Sequence, residues 1–311
     1  MLYEFAIDPE AILEWAKDRN LAAFFLDGKF GLGTARIMAQ FPKGWRKRVH
    51  SFFGQGSGTL ADSRLGEILK ELGSHVTARP ASEWCDDLPW LENTEREDLQ
   101  SPFHAILGVR NPRLSSRVLN ALSPGEVVDS PLWKTQHGIT VNRTADEIAE
   151  AISPMLRIAD EIYFIDPYFD PGTKKKRDPI LESLRRAEGS RGGSAPRIIQ
   201  VRCDYDKSGT DEYFQCKCKK DLPKEIPKGW EVVFLRLNNN DSGQRLHNRY
   251  ILTNLGGVIF GHGIDEGKRD ETDEITLLSK DQYWKQRAAY IDQPVFMESG
   301  QRIVVRGTGC E

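Results

Sequence analysis

The side chains best suited to chemistry lie in one short segment, where His247 and Arg249 are separated by a single residue. An arginine guanidinium offers a planar fork that matches phosphate, and a histidine imidazole can attack phosphorus or move a proton near neutral pH. Gly261 and Gly263 follow, and glycine lets the backbone come close to a ligand. These residue types predict a site for an anionic phosphate group.

A β-hairpin is the element that must position these side chains. The sequence predicts one strand up to Thr253, a turn over residues 254–257 and a return strand to about Phe260. Because side chains alternate along a strand, His247 and Arg249 are expected on the same face.

The hairpin segment resembles the phospholipase D superfamily, whose motif is H-x-K-x(4)-D-x(6)-G-S-x-N. His247 stands at the histidine, Arg249 at the lysine, Asn254 at the aspartate, Gly261 at the glycine and His262 at the serine, without insertion. The resemblance covers about residues 144–305. It implies a phospholipase D-like mixed sheet flanked by helices.

The chain departs from this motif at several positions. Besides the replacements at Arg249, Asn254 and His262, the asparagine of the motif is Ile264, and Asp265 comes one place later. The form H-x-R followed by G-x-G-[IL]-D is similar to MIT C-terminal phospholipase D-like domains, which bind membrane phosphoinositides without evident catalysis. It is also similar to bacterial homologues in operons that resemble anti-phage defence systems.

The resemblance implies a mechanism without metal or cofactor, in which one histidine attacks phosphorus and a second protonates the leaving oxygen. The chain has one motif copy, so catalysis would need a homodimer that brings two His247 side chains together. The implied catalytic residues are His247, Arg249, which would hold the phosphate oxygens, and Glu274, which would orient His247. The implied substrate-binding residues are Asn254, Gly261, His262 and Asp265.

Three functions stay open on these residues. The first is a metal-independent nuclease or other phosphodiesterase. The second is a module that binds phosphate groups of DNA, RNA or a phosphoinositide head group without turnover. The third is a scaffold subunit with a vestigial pocket. Nucleic acid is the expected partner, and the defence-system relatives imply other subunits of a complex.

The order of predicted elements indicates two α/β domains. Thr144 begins a capped amphipathic helix, and buried strands are expected at residues 161–169, 198–203 and 230–237. A polar stretch over residues 123–143 is expected to be a linker. The predicted domains are therefore a smaller α/β accessory domain, residues 1–128, and a phospholipase D-like domain, residues 129–311.

The N-terminal domain carries weaker signals. A buried strand is expected at residues 21–26, a helix at 62–72, further strands at 75–78 and 103–109, and an acidic loop at 86–98. Its acidic residues, loosely similar in order to a PIN-type nuclease, could form a metal-binding cluster or could simply lie in turns and on the surface: Asp27, Glu67, Asp86, Asp87 and Asp98.

Composition narrows the class of protein without naming a substrate. The net charge of −3 gives no bulk attraction to nucleic acid or membranes, and the five scattered cysteines do not suggest a disulfide framework. No apolar run approaches the roughly 18 residues of a transmembrane helix. These features predict a cytoplasmic protein.

Overall fold

Two α/β units make up the chain, Leu2–Gln136 and His137–Glu311. They are described in a computed structural model that covers residues 1–26, 29–53, 59–73, 75–79, 84–189, 194–238 and 245–309. The α/β class expected from the sequence is confirmed in both units.

The N-terminal unit is built on a five-stranded parallel sheet in the order β3-β2-β1-β4-β5. Its strands are β1 (Tyr3–Ile7), β2 (Arg36–Gln40), β3 (Val76–Ala78), β4 (Ala105–Gly108) and β5 (Val118–Asn120). Its helices are α1 (Pro9–Lys17), α2 (Arg19–Leu26), α3 (Trp45–Phe53), α4 (Leu60–Gly73), α5 (Trp90–Gln100) and α6 (Pro124–Asp129).

Both faces of this sheet are buried, as parallel sheets require. Phe5 and Leu107 belong to a core that includes residues of α1 and α4, whereas Ala6 and Ile106 belong to a second core that includes Leu91 of α5. Because side chains alternate along each strand, the two faces of the sheet pack against two separate helix layers.

Three expectations for the N-terminal half were wrong. Residues 21–26 lie in α2 and not in a strand, because a short apolar run fits a buried helix equally well. The acidic stretch 86–98 contains most of α5 and not only a loop. Residues 123–143 contain α6 and a strand, and are therefore not a plain linker.

The C-terminal unit is built on an eight-stranded mixed sheet in the order β13-β9-β8-β7-β10-β11-β12-β6. Its strands are β6 (Gly138–Asn142), β7 (Glu161–Ile165), β8 (Ile198–Asp204), β9 (Glu231–Asn238), β10 (Arg249–Thr253), β11 (Gly257–Phe260), β12 (Thr272–Leu277) and β13 (Met297–Arg306). Its helices are α7 (Ala145–Ile158), α8 (Lys174–Gly189), α9 (Asp211–Asp221) and α10 (Lys280–Arg287), the last followed by a π-helical turn, Ala288–Asp292.

The predicted hairpin is confirmed, because β10 and β11 pair in antiparallel fashion with Arg249 opposite Phe260. The predicted helix start is confirmed as well. The side chain of Thr144 accepts a hydrogen bond from the backbone N–H of Glu147 and caps α7, which packs against α8. Within the described residues, no helix combines the length and apolar character needed to cross a bilayer.

Candidate phosphate-binding site

The candidate site lies where the central strands of the C-terminal sheet end, and this row of strand ends is called the site edge below. Strands β7, β8 and β9 are parallel, and β10 runs antiparallel to β7. The carboxyl ends of the three parallel strands therefore meet the amino end of β10. This edge brings together Asp166, which follows β7, Asp204 at the end of β8, and Arg249 at the start of β10.

Two cations converge on the ring of Tyr168 at this edge. The Arg249 guanidinium carbon lies 4.7 Å from the ring centroid, and the Lys207 Nζ lies 4.4 Å from it. An aromatic face attracts cations through its quadrupole and holds their side chains in place. Tyr168 thus contacts one cation from β10 and another that follows β8, and the second, Lys207, is also held by Asp204, whose Oδ2 lies 3.2 Å from its Nζ.

The Arg249 side chain is half-buried, and its Nε is buried without a hydrogen-bond partner. Among the described residues, it has no carboxylate within the 4.0 Å distance of an ion pair. Buried donors in folded proteins are nearly always paired with an acceptor. The Nε is thus an unmet buried donor, and the guanidinium charge is not paired with any described carboxylate, which leaves it able to bind an anion.

A buried carboxyl group lies behind these cations. Asp166 is 2% exposed, and its Oδ1 accepts a hydrogen bond from the backbone N–H of Tyr168 at 2.9 Å. Burial raises the pKa of Asp166, and the negative charge of Asp265 raises it further, while Arg249 and backbone N–H donors oppose the rise. Asp166 is therefore close enough to Arg249 for the two charges to interact.

Asp273 organises the loop that follows β11. Its Oδ1 accepts from the backbone N–H groups of His262 at 2.9 Å and Glu274 at 2.7 Å, and its Oδ2 accepts from that of Gly263 at 3.3 Å. The same Oδ1 lies 3.3 Å from Nδ1 of His262. The buried carboxylate therefore holds both the backbone and the imidazole of His262 in place.

Glu274, predicted to orient His247, lies on the opposite face of the sheet from Arg249. Arg249 pairs with Phe260, and Phe260 pairs with Ile275, so these three share a face. Asp273, two residues before Ile275, is on that face and buried, whereas the Glu274 side chain is exposed on the other. The acid that reaches a histidine is Asp273, and the histidine is His262.

The two histidines are both exposed. His262 has 68% of its side chain accessible to solvent, and His247 lies just before β10 begins. Both imidazoles are therefore accessible to a ligand from solvent.

The remaining predicted binding residues divide into two groups. Asn254 lies in the hairpin turn at the far end of β10, where its Oδ1 accepts from the N–H groups of Asp160 and Glu161. Gly261 and Asp265 lie at the site edge. A Cβ on Gly261 would come 2.8 Å from Oδ1 of Asp273, so this glycine makes room for that carboxylate. Asp265 Oδ1 accepts from Arg143 at 2.7 Å.

Sequence reasoning missed Asp166, Tyr168, Lys207 and Asp273 as site residues. The signal for the first two was available, because Asp166 follows a strand in which every residue is buried, and such positions lie at the carboxyl edge of a parallel sheet. Lys207 and Asp273 carried no comparable local signal.

The acidic cluster considered for the N-terminal unit is not formed by its described members. Asp27 lies outside the described residues. Glu67 is exposed on α4, Asp86 pairs with Arg48, and Asp98 pairs with Arg117. In the described parts of the chain, no group of three or more His, Cys, Asp or Glu side chains is placed to hold a metal ion.

A scan against protein-family models finds no match for this chain, and no curated protein matches it.

Proposed function

We propose that the C-terminal unit is a phospholipase D-like domain that binds the phosphate groups of nucleic acid at the edge formed by Arg249, Lys207 and Tyr168. The observation that carries the proposal is the convergence of two cations on one tyrosine ring, with the buried Arg249 Nε lacking an acceptor. A guanidinium fork and an ammonium group together suit the non-bridging oxygens of a phosphodiester.

Binding without turnover is the form of the proposal that the geometry favours. In the proposed catalytic set, His247 needs an acid to fix its tautomer, and Glu274 points away on the other face of the sheet. Arg249, in contrast, needs only its position and charge to hold a phosphate. A nucleic acid strand is the favoured ligand because its repeated phosphates can reach Arg249 and Lys207 together.

Equilibrium binding of fluorescent single-stranded and duplex oligonucleotides to the full chain tests this proposal. Arg249→Ala should weaken binding about tenfold, the effect of removing one charge-assisted contact. Arg306→Ala is the matched control, because Arg306 pairs with Glu231 at the start of β9 and so lies at the opposite edge of the sheet. Equal affinities for the wild type and Arg249→Ala would contradict the proposal. Phosphoinositide vesicles are tested in parallel, and binding to them without binding to oligonucleotides would identify a lipid head group as the ligand.

A second candidate, metal-independent phosphodiester hydrolysis, is favoured by the contact between His262 and Asp273. Asp273 can hold the proton on Nδ1, which leaves Nε2 of His262 as the nucleophile. Attack would form a phosphorus–nitrogen bond and break the phosphorus–oxygen bond to the leaving group, whose oxygen takes a proton from a second histidine in its imidazolium form, such as His247. Water would then attack the phosphohistidine, give its proton to the now neutral second imidazole, release a phosphomonoester and restore His262.

Hydrolysis is tested by incubating the oligonucleotides and bis(p-nitrophenyl) phosphate with the full chain in EDTA. If hydrolysis occurs, His262→Ala and Asp273→Asn should abolish it, while binding through Arg249 persists. A wild type that binds oligonucleotides but hydrolyses neither substrate would support the binding function and contradict the catalytic one.

A further inference from the structure

The N-terminal unit has a cavity at the point where the strand order of its parallel sheet reverses. β1 and β4 are neighbours, but the chain leaves β1 toward β2 and β3 on one side and returns through β4 toward β5 on the other. Connections that leave adjacent strands in opposite directions open a crevice at the carboxyl ends of those strands, and ligands of such sheets bind there. Asp8 directly follows β1, and Arg110 lies just after β4 at this edge.

The cavity has a volume of about 440 Å³. Ligand-binding clefts for small molecules span roughly 300 to 1,000 Å³. Trp84 and Trp90 contribute flat walls, and both indole N–H groups are already bonded, to Asp86 at 2.8 Å and to the carbonyl of Phe41 at 3.3 Å. Neither indole therefore has an unpaired N–H donor, and the apolar rings are suited to stacking with a planar ligand.

Three arginines line the same cavity, namely Arg48, Arg110 and Arg113. The Arg48 guanidinium lies 4.2 Å from the Trp84 ring and pairs with Asp86, which is 86% exposed. Arg110 is itself 78% exposed, and its contact with Glu10 is long at 3.6 Å. Exposed ion pairs contribute little free energy, so these guanidinium groups can exchange their carboxylate partners for a ligand anion.

Carboxylates are also present in the lining, from Asp8, Glu10 and Glu92. Burial raises the pKa of Asp8 to about 6, which lowers its charge in mildly acidic solution. Carboxylates at this edge of a doubly wound sheet can accept hydrogen bonds from ribose hydroxyl groups. The lining thus combines aromatic walls, cations and hydroxyl acceptors.

We propose that this cavity binds a nucleoside phosphate, with the base against Trp90 beside the pair of Trp84 and Arg48, the phosphate on Arg110 and its neighbouring arginines, and the ribose hydroxyls on Glu10 or Glu92. A free mononucleotide and the terminal nucleotide of a strand share this chemistry. The lining residues all belong to the N-terminal unit, and the proposal does not depend on the function proposed for the C-terminal unit.

Calorimetric titration of the full chain with AMP, GMP, CMP and UMP tests the proposal, with ribose 5-phosphate and inorganic phosphate as probes that lack the base. At least one nucleotide should bind, and the probes without a base should bind about tenfold or more weakly, since stacking of one base accounts for that difference. A strand with a 5′-phosphate separates the two sources. Binding of the strand alone, lost in Arg110→Ala, identifies the strand end as the ligand.

Arg110→Ala and Trp90→Phe are the informative variants. Arg110→Ala should weaken binding about tenfold, and its exposure makes an effect on folding small. Trp90→Phe keeps a ring and should weaken binding less. Two control variants should bind nucleotide as the wild type does. They are Arg96→Ala, which changes an exposed arginine of α5, the helix that begins at Trp90, and Arg249→Ala. Failure of every nucleotide and of the phosphorylated strand to bind, or affinity unchanged by Arg110→Ala, would overturn the proposal.

Discussion

Replacing Asp273 with alanine should release the loop that carries His262. In the wild type, the Asp273 carboxylate is 2% exposed and accepts three backbone N–H groups, from His262, Gly263 and Glu274. Hydrogen bonds to a charged acceptor contribute about 1.5–3 kcal/mol each. Alanine removes both acceptor oxygens, and with them all three hydrogen bonds and the contact to the His262 ring.

The expected loss is smaller than the sum of these bonds. His262 and Glu274 are exposed, so their N–H groups can bond to water in the variant, whereas the buried Gly263 N–H has less access. We therefore expect local opening of the loop to become easier by about 2–3 kcal/mol. If exchange follows this local opening, the amide hydrogens of His262 and Gly263 should exchange about 30- to 150-fold faster.

Hydrogen–deuterium exchange with mass spectrometry measures this change in peptides that contain residues 261–265. Asp270→Asn is the matched control, because Asp270 is 90% exposed and has a positive φ of 65°, which asparagine tolerates. Exchange in the control should match the wild type. Unchanged exchange of His262 and Gly263 in Asp273→Ala would refute the role assigned to the buried carboxylate.

Two further predictions concern the stability of the N-terminal unit. Burial raises the pKa of Asp8 from 3.8 to about 6, so its contribution to stability is greatest below pH 4 and falls as pH rises through 6. Asp8→Asn should therefore raise the thermal midpoint at about pH 8, by an amount equivalent to at most about 3 kcal/mol, with little change at about pH 4; a lower midpoint at pH 8 would contradict this. Arg79 bonds the buried carboxylates of Glu4 at 3.0 Å and Glu97 at 2.5 Å, and Arg79→Met should cost about 3–5 kcal/mol in urea denaturation because it leaves both unpaired. The loss in unfolding free energy should be smaller at about pH 5 than at about pH 8, because the unpaired carboxyl groups take up protons at the lower pH. Equal losses at the two pH values would argue against that cause.

Elements whose pattern and turn chemistry agree could be predicted from the sequence. The hairpin of β10 and β11 has alternating strands around a glycine-containing turn, and α7 combines the Thr144 cap with a regular apolar face. The helix α5 escaped prediction because its buried face includes polar residues. The Asn93 side chain is buried through hydrogen bonds to Cys85 and Leu88, which no periodicity of apolar residues reveals.

The candidate site could be predicted only where its residues are close in sequence. His247 and Arg249 were found from their spacing, but the choice between Asp273 and Glu274 depends on strand register, and a shift of one residue moves a side chain to the other face. Lys207 reaches Tyr168 from a different strand end, and only the sheet order brings them together.

The salt dependence of oligonucleotide binding tests the central claim most directly. Each phosphate contact contributes a slope of about −0.9 for duplex DNA, or about −0.7 for a single strand, in a plot of the logarithm of the association constant against the logarithm of the salt concentration. Arg249→Ala and Lys207→Ala should each make this slope shallower by about one contact, while Arg306→Ala should keep the wild-type slope. Identical slopes for all four proteins would contradict a phosphate site at Arg249.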